Sequence, residues 1–151
     1  MRRGFLVLGA FCALMPLAAA AQNAYDPQNV QKADVLLVGK GAHAAENRET
    51  TIVATDRSGW DYMWARIGKM PPSGGLKEGQ MAVAILIGER RTAGYDVEIV
   101  SAEEDIDSLV VYYRVRSPDE GANMLSQVIT SPYAVAVMPK SDKPVRTEIF
   151  K

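Results

Sequence analysis

The run Met81-Ala82-Val83-Ala84-Ile85-Leu86-Ile87, closed by Gly88, is unbroken in apolar character. It is far shorter than the roughly 20 residues that a membrane span needs. A short apolar run bounded by turn residues reads instead as a central strand covered on both faces. Its faces are unequal. Side chains alternate along a strand, so Val83, Ile85 and Ile87 share one face while Ala82 and Ala84 lie on the other. A fold that contains this strand must therefore supply two layers of cover, and the alanine face leaves room for something bulky.

The stretch "SGWDYMWARIG" offers that cover. Trp60, Met63, Trp64 and Ile67 recur at i, i+3, i+4 and i+7, the spacing of one helical face. The spacing predicts a helix from about Gly59 to Ile67, capped by Ser58 with Asp61 completing a capping box. Gly68 suits the left-handed position after the last turn, and Pro71-Pro72 forbid continuation. Both indoles fall on the buried side. Stacking on a sugar or peptide is the competing reading for them.

Elsewhere the strand signal dominates. Asp34–Val38 is a short apolar run closed by Gly39 and Gly41, and Thr50–Thr55 is β-branched. "GYDVEIVS" alternates Tyr95, Val97 and Ile99 against Asp96 and Glu98. "LVVYYRVRS" places Leu109, Val111, Tyr113 and Val115 on one face, opposite Val110, Tyr112, Arg114 and Arg116. "MLSQVIT" and "YAVAVMP" read as two more strands, and Val145–Phe150 as a last edge strand. The fold class is mainly β, of α+β type: an antiparallel β-sandwich or barrel-like sheet with one short helix packed on it.

The first residues are of a different kind. Arg2 and Arg3 precede the apolar stretch Gly4–Leu17, and Ala19 and Ala21 suit a signal-peptidase site before Gln22. A transmembrane anchor fits less well, because Pro16 and the alanine run cut the apolar stretch short. Residues 1–21 thus read as a signal peptide, 22–33 as a flexible lead and 34–151 as a single β-rich domain. Export makes the chain periplasmic or secreted. The one cysteine, Cys12, lies inside the signal, so the processed domain has no disulfide and must cohere by burial. Chain length allows a self-sufficient core. Without Arg2 and Arg3, the basic residues are outnumbered by the 18 acidic ones. That balance argues against a nucleic-acid partner, and no membrane span follows the signal.

The loop "GERRTAGYDVEIV" reads as a hairpin connection over Gly88–Ala93, with Gly94 easing the return into pairing. Arg90 and Arg91 then sit at its tip. They are either solvated charges at a strand end or an anchor for a carboxylate or partner chain. Tyr133, following Pro132, is expected to brace the loop end near Tyr95.

Three segments carry a family resemblance. "GERRTAGYDVEIV", "LVVYYRVRSP" and "SQVITSPYAVAVMPKSDKPV" together resemble the C-terminal domain of the PrcB family of protease-complex subunits. The matching positions are Arg91, Thr92, Gly94 and Tyr95; Gln127, Thr130, Pro132 and Tyr133; and Pro139, Lys140, Asp142 and Pro144. With the Trp-bearing helix the likeness runs from about Asp56 to Val145. Ala93 stands where glycine is more usual, and Asp119-Glu120 replace a Pro- or Gly-rich turn. The resemblance implies an accessory part that helps a surface protease complex form or persist, with no catalytic role of its own. Arg90, Arg91, Thr92, Tyr95, Pro132 and Tyr133 become the candidate interaction residues, and Trp60, Trp64 and Gly94 the structural ones.

The residue types agree with a non-enzyme. A hydrolase needs a nucleophile beside a base, and the sole histidine, His43, reads as a surface residue. One histidine without mature cysteine excludes an ordinary zinc site. Glu103, Glu104, Asp105 and Asp107 lack the ligand register of a calcium loop and read as a solvated turn. "GKG" at Gly39–Gly41 is too short for a phosphate loop, so no cofactor is expected. Beside the accessory-subunit reading stand two alternatives. One is a direct protease inhibitor presenting Arg90–Gly94 and Pro118–Asn123; the other is a small-ligand or glycan binder.

Overall fold

The computed structural model describes residues 31–118 and 127–151. The signal and most of the lead, the turn at 119–123 and the start of "MLSQVIT" lie outside the described residues. Eight strands and one helix follow in order: β1 (Gln31–Ala33), β2 (Leu36–Gly41), β3 (Glu49–Ala54), α1 (Arg57–Ile67), β4 (Gln80–Ile87), β5 (Asp96–Glu104), β6 (Leu109–Arg116), β7 (Tyr133–Pro139) and β8 (Val145–Ile149). They form two packed four-stranded sheets, β1-β5-β6-β8 and β2-β7-β4-β3. Pairing is antiparallel except between β6 and β8, and neither sheet closes into a barrel. Gln31–Ala33, read as the end of a loose lead, pair with Ala102–Glu104.

β4 is covered on both faces, as is its neighbour β7. Val83, Ile85 and Ile87 pack with Val97, Ile99, Leu109 and Val111 between the sheets. On its other face Ala82 and Ala84 pack with Trp60, Met63, Trp64 and Ile67 of α1. The order is therefore helix, sheet, sheet. Trp60 and Trp64 are only 2% and 3% exposed and meet edge to face, centroids 5.6 Å apart at 69°. Among the described residues neither indole Nε1 has an acceptor, so apolar packing holds this roof rather than hydrogen bonding.

The indole reaches past β4 to β2. A Cβ on Gly39 would lie 2.6 Å from Trp64 Cη2, and one on Gly41 would lie 2.9 Å from the Tyr133 ring. Both glycines belong to the strand. They were read as its end; their work is to make room for rings on the helical face.

α1 begins earlier than its spacing suggested. Its N-cap is Asp56, in extended backbone, whose Oδ1 accepts from the Gly59 N–H at 2.7 Å. Ser58 lies within the first turn and Asp61 faces Arg57 at 3.9 Å, so the expected capping box is not formed. Asp56 takes the role because the chain is still extended there, two residues beyond β3. Gly68 closes the helix at φ 73°, as read, donating its N–H to the Trp64 and Ala65 carbonyls.

Candidate interaction surface

The connection Gly88–Tyr95 is not a hairpin. β4 and β5 lie in different sheets, so this segment crosses the sandwich at one end. The alternating apolar pattern of β5 is satisfied by facing β4 across the core as well as by pairing beside it, which is why sequence alone misplaced it. Gly88 (φ 74°) and Gly94 (φ 95°) turn the chain at either side of the crossing. Any side chain is excluded at both: a Cβ on Gly94 would lie 2.8 Å from Pro118 Cβ, and one on Gly88 would lie 2.9 Å from the Glu49 nitrogen.

Three connections meet here and are laced through their backbones. Arg90 N–H donates to the Thr130 carbonyl at 2.7 Å and Thr130 N–H donates back at 2.9 Å. The Thr130 hydroxyl reaches the Thr92 carbonyl at 3.2 Å. Ser131 N–H donates to Ala42 O at 2.7 Å, Ala44 N–H to Ser131 O at 2.9 Å, and Glu89 N–H to Asn47 O at 2.9 Å. Residues 130–132 are thus the middle rung, flanked by the β4–β5 and β2–β3 connections. The latter is pinned to the end of α1: Arg66 Nη2 bonds Glu46 Oε2, and Ala45 N–H donates to Ile67 O at 2.8 Å. That arginine bond, aided by the Arg48 backbone N–H, holds the Glu46 carboxyl below its ordinary pKa.

The candidate residues divide by burial. Pro132 is fully buried, and Tyr133 is buried on the helical side with its phenol pushed up by desolvation. Tyr133 does not brace Tyr95, because Tyr95 packs toward the opposite face of the second sheet. Arg90 is half-buried with its guanidinium 5.6 Å from the Tyr95 ring centroid, a cation–π contact that fixes it within the loop. Thr92 is half-buried. Arg91 alone of the set is open to solvent.

Two residues outside the set complete the surface. Val128 is 45% and Ile129 62% exposed, in coil rather than the strand that their β-branched character suggested. The Arg90–Thr130 bridge is antiparallel. The next residue along each chain brings Ile129 opposite Arg91, so an arginine and an exposed apolar pair sit together on a backbone-braced rim. Sequence reasoning passed over Val128 and Ile129 because strand pairing would have hidden them. Their signal was Pro132, whose ring removes a ladder donor from the run.

The reactive residue types stay apart or paired internally. His43 lies opposite Ser131 by backbone pairing, but no hydrogen bond joins their side chains. Glu103 and Glu104 belong to β5, not to a turn, and Lys143 Nζ reaches Glu104 Oε1 at 2.9 Å and the Asp105 carbonyl at 2.5 Å. The lysine occupies the place a cation would take and lowers the Glu104 pKa. Among the described residues no three His, Cys, Asp or Glu side chains gather as metal ligands, and no helix is long and apolar enough to cross a membrane.

The crossing, its rim and the strands that carry them fall within one family signature. Residues 81–139 match the PrcB C-terminal family. The match runs from the first apolar residue of β4 to the end of β7 and takes in Arg90–Tyr95 and Thr130–Tyr133. It is narrower than the resemblance over Asp56–Val145, leaving α1 and β8 outside. PrcB C-terminal domains are not known as catalysts and suggest association with a protease complex and export. No curated protein and no solved structure matches the chain.

Proposed function

We propose that this chain is an exported, non-catalytic interaction module that serves as an accessory or stabilising subunit of an envelope protease complex, docking through the rim of Arg91, Val128 and Ile129. One observation carries the reading: an exposed apolar pair beside a solvent-exposed arginine, held on a hydrogen-bonded loop scaffold, within the segment that matches the PrcB C-terminal family. Interface hot spots favour arginine, exposed apolar residues that cluster mark interaction sites, and a preorganised frame loses little ordering entropy on binding. Periplasmic or secreted placement follows from the signal-like start. A glycan-binding role lacks the exposed indole it requires, for both rings are buried.

The test is affinity capture with tagged mature protein from envelope extract, alongside protease abundance in a deletion strain. Recovery of a protease, and its decline on deletion, support the proposal; neither occurring refutes it. Dose-dependent inhibition of the captured protease would move the assignment to the inhibitor reading, in which the same rim enters an active site.

A further inference from the structure

Four strands end the two sheets, and one differs from the rest. Unpaired edges invite pairing with another chain and are usually blunted by brevity, charge or bulges. β1 has three residues; β2 carries Lys40 and a register break between Leu37 and Gly39; β8 carries Arg146 and Glu148. β3, Glu49-Thr50-Thr51-Ile52-Val53-Ala54, keeps an unbroken register against β4 and has no cation, proline, glycine or bulge. Thr51 and Val53 share a face with Ile85 and Val83, the face turned toward the first sheet, yet both are exposed. A cleft of about 500 Å³ lined by Val53, Thr55, Met81 and Val145 opens beside them.

We propose that β3 pairs antiparallel with β3 of a second copy of this chain, about a two-fold axis at Ile52, joining the second sheets of both copies into one continuous layer. Antiparallel partners share a face, so the axis must pass through a residue, and charge selects which one. With Ile52 on the axis, Thr51 stands beside Val53 of the second copy, Thr50 beside Ala54, and Arg48 beside Asp56. Arg48 is exposed and forms no ion pair among the described residues. Asp56 lies in the bend two residues beyond β3, its own torsions extended at φ −151°, ψ 179°, and only its Oδ1 is engaged by Gly59. Two symmetric Arg48–Asp56 pairs therefore bracket a stretch whose one charge, Glu49, stands beside the neutral Thr55 of the second copy. With Thr51 on the axis, Arg48 would face Ala54 and Glu49 would face Val53, leaving the charges unmatched. A strand with an exposed arginine before it, a carboxylate after it and nothing charged at its centre complements itself.

Sedimentation of the mature protein from micromolar to near-millimolar concentration tests this. Reversible dimer formation is expected. Arg48→Asp sets like charges opposite each other twice and should raise the dimer dissociation constant at least about tenfold. Leu37→Lys, on the opposite edge of the same sheet, should leave it unchanged. A monomer at every concentration overturns the proposal, as does a dimer that Arg48→Asp does not weaken or that Leu37→Lys weakens equally.

Discussion

Gly39→Ala isolates the contact on which the helical roof depends. The new Cβ would stand 2.6 Å from Trp64 Cη2, where carbon atoms prefer about 3.5–4.0 Å. The ring is rigid and held by Trp60 and Met63, so β2 or α1 must yield by about 1 Å. Overpacking of this kind costs about 1–3 kcal/mol. Against it stands a gain, because Gly39 does not have positive φ and alanine in a strand is better than glycine by about 0.5–1 kcal/mol. The net expectation is a loss of about 0–2.5 kcal/mol. In a Trp64→Leu background the ring is gone and only the gain remains, so Gly39→Ala should then stabilise by about 0.5–1 kcal/mol. Contacting residues commonly couple by 0.5–3 kcal/mol, and this pair should fall at about 1–3. Urea unfolding followed by far-ultraviolet circular dichroism reads all four corners of the cycle, provided the slope stays constant. A stabilising Gly39→Ala in the native background, or the same effect in both backgrounds, would refute the packing argument.

Other perturbations follow from single contacts. Asp56→Ala removes the cap of α1 and should cost about 0.5–2 kcal/mol in the same unfolding assay, whereas Ser58→Ala should be nearly silent. Arg91→Ala should change stability by less than about 0.5 kcal/mol while weakening capture of the partner, measured on the same preparation. Glu104 has a folded pKa lowered chiefly by the Lys143 hydrogen bond, so its contribution is full above the ordinary glutamate range and fades as pH falls through the depressed value. Glu104→Gln should flatten that acid limb of a stability–pH profile by a modest amount, since both side chains are about a third exposed. Tyr133 and Tyr113 have pKa values raised by burial, so their contribution is full below the ordinary tyrosine value and is lost as pH rises through the raised one.

Much of the layering was legible because apolar period is a direct record of burial. The unequal faces of Met81–Ile87 foretold a helix on the alanine side, and the spacing of Trp60, Met63, Trp64 and Ile67 foretold the face that meets it. The partners of strands were less legible, since alternation states which side is buried without saying against what. Gly88–Ala93 therefore reads as a hairpin in the sequence, whereas the connection crosses between sheets. Gly39 and Gly41 misled in a related way, because punctuation and space for a ring have the same spelling. At the rim, Arg91 was visible as a charge in a turn. Val128 and Ile129 were not, because apolar β-branched residues ordinarily hide.

Hydrogen exchange of the mature protein, free and bound to the protease it captures, is the most direct test of the docking surface. Slowed exchange should concentrate at amides of 88–95 and 127–131 and leave α1 unchanged. Protection confined to α1 or to the outer face of the first sheet, with the rim exchanging as in the free protein, would contradict the assignment.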